Sequence, residues 1–145
     1  MKDRGKMAVM SDQEIRKNLS SDQFQRFFDN HSGSEYRFAV AWLTPEDQKL
    51  LGCSGDILWL SRISVDEHIE KHPEVMIDDY RAIPDIVRNA QVWAGHDHRR
   101  YLLLWIGGKP YRAAIKTDAN GNDAWFLSLT ISRKQKPPKG AVRVR

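Results

Sequence analysis

Hydrophobic residues recur with a helical period near the start of the chain. They alternate with charged residues between positions 11 and 30, at Ile15, Leu19, Phe24, Phe27 and Phe28. This spacing predicts two short amphipathic helices, the second capped by Ser20 or Ser21. We expect residues 1–34 to form a helical extension that ends in a His-Ser-Gly-Ser linker at positions 31–34.

The next segment alternates between strand and helix patterns. Tyr36 to Leu43 and Ile57 to Leu60 are apolar runs typical of strands. Between them, a helix is expected to begin at Thr44-Pro45 and to end at Gly52.

Two further helices are predicted after the second strand. Ser64 and Glu67 have the spacing of a capping box, so a helix should begin at Val65 and continue to His72, where Pro73 stops it. A second helix is expected over residues 79–89, with a kink at Pro84.

Beyond residue 90 the hydrophobic period changes to two. Four strands are predicted, at Val92-Trp93, Arg100 to Ile106, Tyr111 to Thr117, and Trp125 to Ser132. Gly107-Gly108 and Asn120-Gly121 are typical of hairpin turns. The sequence therefore predicts an α+β fold, in which N-terminal helices are followed by a four-stranded antiparallel sheet.

Strand alternation places polar side chains on one face of this sheet. On the last strand, an apolar face is expected to carry Trp125, Leu127, Leu129 and Ile131. If the two strands pair, the opposite face places the cations of the preceding strand next to hydroxyl groups. The residues of this face are then Arg112, Lys116, Ser128, Thr130 and Ser132. Such a set suits a phosphate group, although a solvated sheet face has the same composition.

Composition limits the class of protein. A chain of 145 residues with 41% hydrophobic residues is the size of one folded domain. The longest apolar run, Tyr101 to Ile106, is too short to span a membrane, and residues 1–10 lack the apolar core of a secretory signal. A single cysteine excludes an internal disulfide, so we expect a cytosolic protein. We also expect Trp42, Trp59, Trp105 and Trp125 to pack in the core.

Positive charge is concentrated at the end of the chain. Residues 1–132 contain 17 basic and 19 acidic residues, whereas residues 133–145 contain six basic residues and no acid. We assign residues 135–145 to a basic tail. Such a tail can bind a polyanion, or it can be a disordered, solubilising terminus.

Two histidines stand one helical turn apart. His68 and His72 lie on one face of the predicted helix, where they could bind zinc together with His96 and His98, or act as a general acid and base. The zinc-protease motif does not fit, because Ile69 stands where that motif requires glutamate. The remaining interpretation is that His68 is an ordinary surface residue and His72 merely ends the helix.

The order of these motifs resembles a known family. Ile57-Leu58-Trp59-Leu60-Ser61, then His68 to Val75, then Asp79 to Val87, are similar to the phage-associated barnase, EndoU, colicin and RelE-like nuclease domains. The later strands extend the similarity over roughly residues 36–134. We therefore expect a nuclease domain over residues 35–134.

The resemblance implies a phage- or prophage-encoded, toxin-like endoribonuclease. It would cleave RNA without metal or cofactor, through attack of the 2′-hydroxyl group, to give a 2′,3′-cyclic phosphate. His68 and His72 match the family's histidine pair, Lys116 its strand lysine, and Thr130 or Ser132 its last-strand hydroxyl. The candidates for substrate binding are Arg112, Ser128, Ser132 and Tyr80.

The resemblance also suggests partners and a second function. The expected partners are RNA, including tRNA, an immunity or antitoxin protein, and phage head proteins, in the bacterial cytoplasm or in a virion. The alternative function is a non-catalytic phage structural or nucleic-acid-binding module that keeps the nuclease fold. The catalytic interpretation requires a helical histidine to reach Lys116 around an edge of the sheet, because helices are expected to cover the opposite face.

Overall fold

A computed structural model describes residues 10–29 and 36–145. The helices are α1 (Asp12–Leu19), α2 (Asp22–Phe28), α3 (Pro45–Leu51), α4 (Arg62–Lys71), α5 (Ile77–Tyr80) and α6 (Ile83–Asn89). The strands are β1 (Arg37–Trp42), β2 (Ile57–Ser61), β3 (Gln91–Ala94), β4 (Arg99–Ile106), β5 (Lys109–Thr117), β6 (Ala124–Ile131) and β7 (Val142–Arg143). The expected linker at 31–34, and nearly all of the segment searched for a secretory signal, lie outside the described residues.

The sheet is larger than the sequence predicted, and it is mixed. Its seven described strands have the order β1-β2-β6-β5-β4-β3-β7, and β2 pairs with β6 in parallel. The prediction of a four-stranded antiparallel sheet is therefore wrong, although the α+β class remains. The antiparallel meander of β3 to β6 is present as expected, but β1 and β2 extend it through the parallel pair and β7 extends the other edge.

The helices share one core on one face of the sheet. Buried side chains of the N-terminal helices, such as Ile15 and Phe24, belong to the same hydrophobic cluster as Leu60, Ile115 and Leu129 of the strands. The N-terminal extension therefore packs into the same core as the rest of the chain. No helix among the residues described here is long and apolar enough to cross a membrane.

Two helix boundaries differ from those predicted from the sequence. Helix α4 begins at Arg62, since Ser61 is its N-cap and its hydroxyl accepts the N–H of Ser64 at 3.1 Å. The expected start at Val65 is wrong because Ser61, directly after β2, caps the helix one turn earlier. The expected helix over residues 79–89 is instead the two helices α5 and α6, and Pro84 lies in the first turn of α6.

A bulge in β6 changes which residues point to the core. Ala114 pairs with Ser128, whereas the next residue of β5, Ile115, pairs with Phe126, so Leu127 is the extra residue. The alternation therefore reverses at this point, and Ala124, Phe126 and Leu129 are the buried residues. The predicted apolar face is wrong for Trp125 and Leu127, which point away from the core.

The basic tail joins the sheet. Val142 and Arg143 pair with Ala94 and Trp93 of β3, and the Arg145 side chain donates to the carbonyl oxygens of Ala90 and Val87. These contacts attach the end of the tail to the edge of the sheet, so it is an ordered part of the fold.

Candidate functional site

Strand register brings the predicted cations and hydroxyl groups to one face of the sheet. Residues that pair directly across neighbouring strands point to the same side. On this basis, the sheet face opposite the helices carries Arg99, Tyr101, Arg112, Lys116, Trp125, Ser128 and Thr130. We call this surface the open face.

Arg112 lines the first of two cavities on the open face. The cavity has a volume of about 190 Å³, and its lining includes Tyr101, Arg112, Ser128 and Thr130. The Thr130 hydroxyl donates to the Arg112 carbonyl oxygen at 3.4 Å, across the β5–β6 pair. A guanidinium group beside two hydroxyls and a phenol ring can bind an anion such as phosphate.

Lys116 lines the second cavity, at the other end of the same strands. The volume of this cavity is about 620 Å³. Besides Lys116, it is lined by Trp125, by His98, and by Ser61 and Ser64 at the start of α4. Two carboxylates, Asp97 and Asp118, complete the polar lining. The cavity thus combines an ammonium group, an imidazole and an indole with two carboxylates and two hydroxyls, so it offers a ligand both hydrogen bonds and an aromatic surface.

A tight turn presents His98 at this cavity. The Arg99 N–H donates to the His96 carbonyl oxygen, and the two central residues, Asp97 and His98, have φ angles of 55° and 61°. Positive φ at both central residues is typical of the type I′ turn that suits a two-residue hairpin. His96, Asp97 and His98 are all exposed.

His68 lies in the core instead of on the open face. Its side chain is buried, its Nδ1 atom is 2.6 Å from the Tyr80 hydroxyl, and its Nε2 atom accepts the Leu129 N–H at 3.1 Å. Because Nε2 accepts this hydrogen bond, the neutral ring carries its proton on Nδ1 and donates it to the Tyr80 oxygen. Neither ring nitrogen is therefore free to bind a substrate.

The position of His68 follows from the end of β2. β2 pairs with β6 only as far as Phe126, and the chain then turns into α4 at Ser61. The N–H of Leu129 lies beyond this paired stretch, and the His68 ring supplies the acceptor that a longer β2 would have supplied. Burial, and then the neighbouring His72 ring, lower the pKa of His68 from its ordinary value, so the ring is neutral at pH 7.

His72 is the more accessible member of the pair. Its side chain is 38% exposed, and its Nδ1 atom is 3.3 Å from a carboxylate oxygen of Glu74. The ring centroids of His68 and His72 are 4.9 Å apart, as expected for one turn of helix. The prediction that His68 and His72 lie next to each other on one helix face is therefore confirmed.

Two of the candidates for substrate binding have structural contacts. Tyr80 is 1% exposed, its hydroxyl is bonded to His68, and burial raises its pKa well above the ordinary range. Ser132 lies just beyond β6, where its N–H donates to the Pro110 carbonyl oxygen and its hydroxyl accepts the Lys134 N–H.

The predicted site residues fall into two groups. Arg112, Ser128 and Thr130 line one cavity on the open face, and Lys116 lines the next one. His68, His72 and Tyr80 are together on the side of the helices, and among the described residues neither His68 nor His72 lines either cavity. The structure thus does not bring the helical histidines to Lys116.

Sequence reasoning missed several residues on the open face and beside it. Trp125 and Tyr101 look like core residues in an apolar strand, and the bulge that turns Trp125 outwards leaves no clear pattern in the sequence. Likewise, Trp105 is 51% exposed instead of buried. His98 was visible only as a candidate zinc ligand, although its distance of one residue from β4 already placed it at the end of the sheet.

No group of three or more His, Cys, Asp or Glu side chains within residues 10–29 and 36–145 is arranged to hold a metal ion. Comparisons of the chain with protein-family models, with curated proteins and with solved structures find no significant match.

Proposed function

We propose that this protein binds RNA on the open face of its sheet. The observation that carries the proposal is the register of β5 and β6, which places Arg112 and Lys116 on one surface with the hydroxyls of Ser128 and Thr130. Four residues of strand separate the two cations by about 13 Å, so they can contact different phosphates of one strand. This is the nucleic-acid-binding function that the sequence offered as its alternative.

Aromatic residues on the same face suit the bases of the strand. Trp125 lines the Lys116 cavity, and its partner on β2, Trp59, lies on the same face. Proteins that bind single-stranded RNA stack unpaired bases on such rings while cations contact the backbone. Both kinds of contact are therefore available to one extended ligand.

A binding measurement tests this proposal. We expect a 20-nucleotide single-stranded RNA to bind the wild type, and the double variant Arg112→Gln/Lys116→Gln to bind at least about 10-fold more weakly, because two phosphate contacts are lost. Fluorescence anisotropy at fixed salt gives both dissociation constants. Lys17→Gln/Lys71→Gln is the matched control, since it removes the same charge from exposed helix positions. Equal weakening of both double variants would contradict the proposal.

RNA cleavage is the second candidate function, and a specific observation favours it. His98 and Lys116 line one cavity, so an imidazole and an ammonium group can reach the same phosphodiester. In this mechanism neutral His98 takes the proton of a 2′-hydroxyl, whose oxygen bonds to phosphorus while the bond to the 5′-oxygen breaks. Water protonates the leaving oxygen, and Lys116 stabilises the charge on the phosphorane. His98 here replaces His68, whose ring nitrogens are both bonded.

Incubation with RNA in a chelator tests the cleavage. We expect products that end in a 2′,3′-cyclic phosphate, loss of cleavage in His98→Gln by at least about 100-fold, as for removal of a general base, and little change in His72→Gln. Product ends are identified by mass spectrometry. If the wild type leaves the RNA intact but still binds it, the protein is a binding module without catalytic activity.

A further inference from the structure

The segment between β6 and β7 connects opposite ends of the sheet. At its beginning, the Ser132 N–H and the Gln135 side chain donate to the carbonyl oxygens of Pro110 and Tyr111, near the β4–β5 turn. At its end, the Cα of Gly140 lies beside His96 in the β3–β4 turn, where an added Cβ would be 3.6 Å from the ring. We call residues 132–141 the strap.

The strap is too short to go around the sheet. The five steps from Gln135 to Gly140 reach at most about 18 Å. Along β4, the distance from Leu104, which pairs with Tyr111, to Arg99 at the β3–β4 turn is itself about 17 Å. The strap must therefore cross a face of the sheet almost directly. The hydrophobic core fills the other face, so the strap crosses the open face.

The burial of Leu103 supports this path. Leu103 pairs with Arg112 and so points to the open face, yet it is 3% exposed and is not part of the core cluster. Its neighbour Leu102 points to the core and is fully buried, so both faces of β4 are covered at this level. Pro137 and Pro138 in the middle of the strap are partly buried, whereas Lys136 and Lys139 on either side are exposed.

The sequence of the strap suits a rigid bridge. Consecutive prolines favour an extended conformation of about 3.1 Å per residue, and proline has no N–H that would lack a partner on an apolar surface. Both ends are fixed, by Gln135 at one end and by β7 and Arg145 at the other. Such a segment acts as a wall on the sheet instead of a flexible tail.

We propose that the strap restricts the open face to single-stranded nucleic acid. It runs over β4 and, at the level of Arg112, leaves β5 and β6 as the floor of a groove. Beyond β6 at this level α4 takes the place of β2, since His68 accepts the Leu129 N–H. Two strands give a floor about 10 Å wide. An A-form RNA duplex carries a second backbone beside the first and keeps its bases paired inside, so it is wider than this floor and cannot reach Arg112 between these walls.

The charges of the strap favour the same ligand. Lys134, Lys136 and Lys139 are exposed along it, so they can contact the backbone of a strand that lies on the floor. This inference rests on the proposed RNA binding, because it concerns the selectivity of the same face.

Comparison of single-stranded and duplex RNA tests the inference. We expect wild type to bind a 20-nucleotide single strand at least about 10-fold more tightly than the duplex of the same sequence, because only the single strand fits the groove. Removing residues 134–145 should bring this ratio close to one. Pro137→Gly/Pro138→Gly keeps both attachments and every charge but makes the strap slack, so it should lower the ratio in the same direction.

The outcomes separate this inference from the proposed function. If the proline variant and the shortened chain, each checked for folding by circular dichroism, both keep the wild-type ratio, the role of the strap is wrong while RNA binding stands. If the shortened chain does not fold, the proline variant decides alone. If wild type binds neither RNA, or if Arg112→Gln/Lys116→Gln binds as wild type does, the proposed function is wrong and this inference is wrong with it.

Discussion

His68 shows how a single residue can look catalytic and be structural. Its ring connects three parts of the fold, since it lies on α4, bonds to Tyr80 at the end of α5, and accepts the Leu129 N–H of β6. Both bonds are buried, where an unpaired donor or acceptor costs about 1–3 kcal/mol. Only the neutral ring can accept from Leu129, so protonation of His68 opposes folding.

This role predicts a loss of stability in mild acid. The pKa of His68 is lowered in the folded state, so the unfolded chain, with an ordinary value of about 6.5, takes up the proton first as the pH falls. The free energy of unfolding of the wild type should therefore be constant above pH 6.5 and should decrease below it. Urea unfolding at several pH values between 8 and 5 measures this dependence.

The matched variants assign the effect to His68. His68→Gln cannot take up the proton, so it should be less stable than the wild type at pH 7 but should lose less stability between pH 6.5 and 5. His72→Gln, at the more exposed neighbouring position, should keep most of the wild-type dependence. A His68→Gln protein that loses stability as steeply as the wild type would exclude this explanation.

At the scale of single elements, hydrophobic periodicity predicted most strands and helices but not every face. The alternation of β5 was predicted correctly, and Arg112 and Lys116 therefore lie on the same face of the sheet, as expected. On β6 the same reasoning failed for Trp125, because the extra residue Leu127 reverses the alternation. A bulge is fixed by pairing with the neighbouring strand, so the sequence of β6 alone does not reveal it.

The limits of sequence reasoning are clearest where distant segments meet. The parallel contact of β2 with β6 joins residues that are more than 60 positions apart, such as Leu60 and Phe126, and no local pattern specifies it. The same holds for the acceptor role of His68, which depends on where β2 ends. Residue types thus predicted the chemistry of the histidines, whereas only tertiary packing determined which of them is accessible.

For the whole molecule, the distribution of charge matters more than its sum. The net charge of +4 is modest, and without the last 13 residues the chain has more acidic than basic residues. Lys134, Lys136 and Lys139 are exposed residues of the strap, which we infer to cross the face that carries Arg112 and Lys116. The open face is therefore a basic surface on a body that is close to neutral.

This arrangement predicts that RNA binding depends on salt through a few identified cations. Each contact between a cation and a phosphate of a single strand contributes about 0.7 to the slope of log affinity against log salt concentration. Arg112→Gln/Lys116→Gln should therefore lower the magnitude of the slope by about 1.4, because two contacts are lost. Lys17→Gln/Lys71→Gln reduces the net charge equally but removes exposed helix cations that line neither cavity of the open face, so its slope should match that of the wild type. Titrations at several salt concentrations give the three slopes. If the magnitude of the slope decreased equally in both double variants, the net charge of the whole molecule, and not the open face, would attract the RNA.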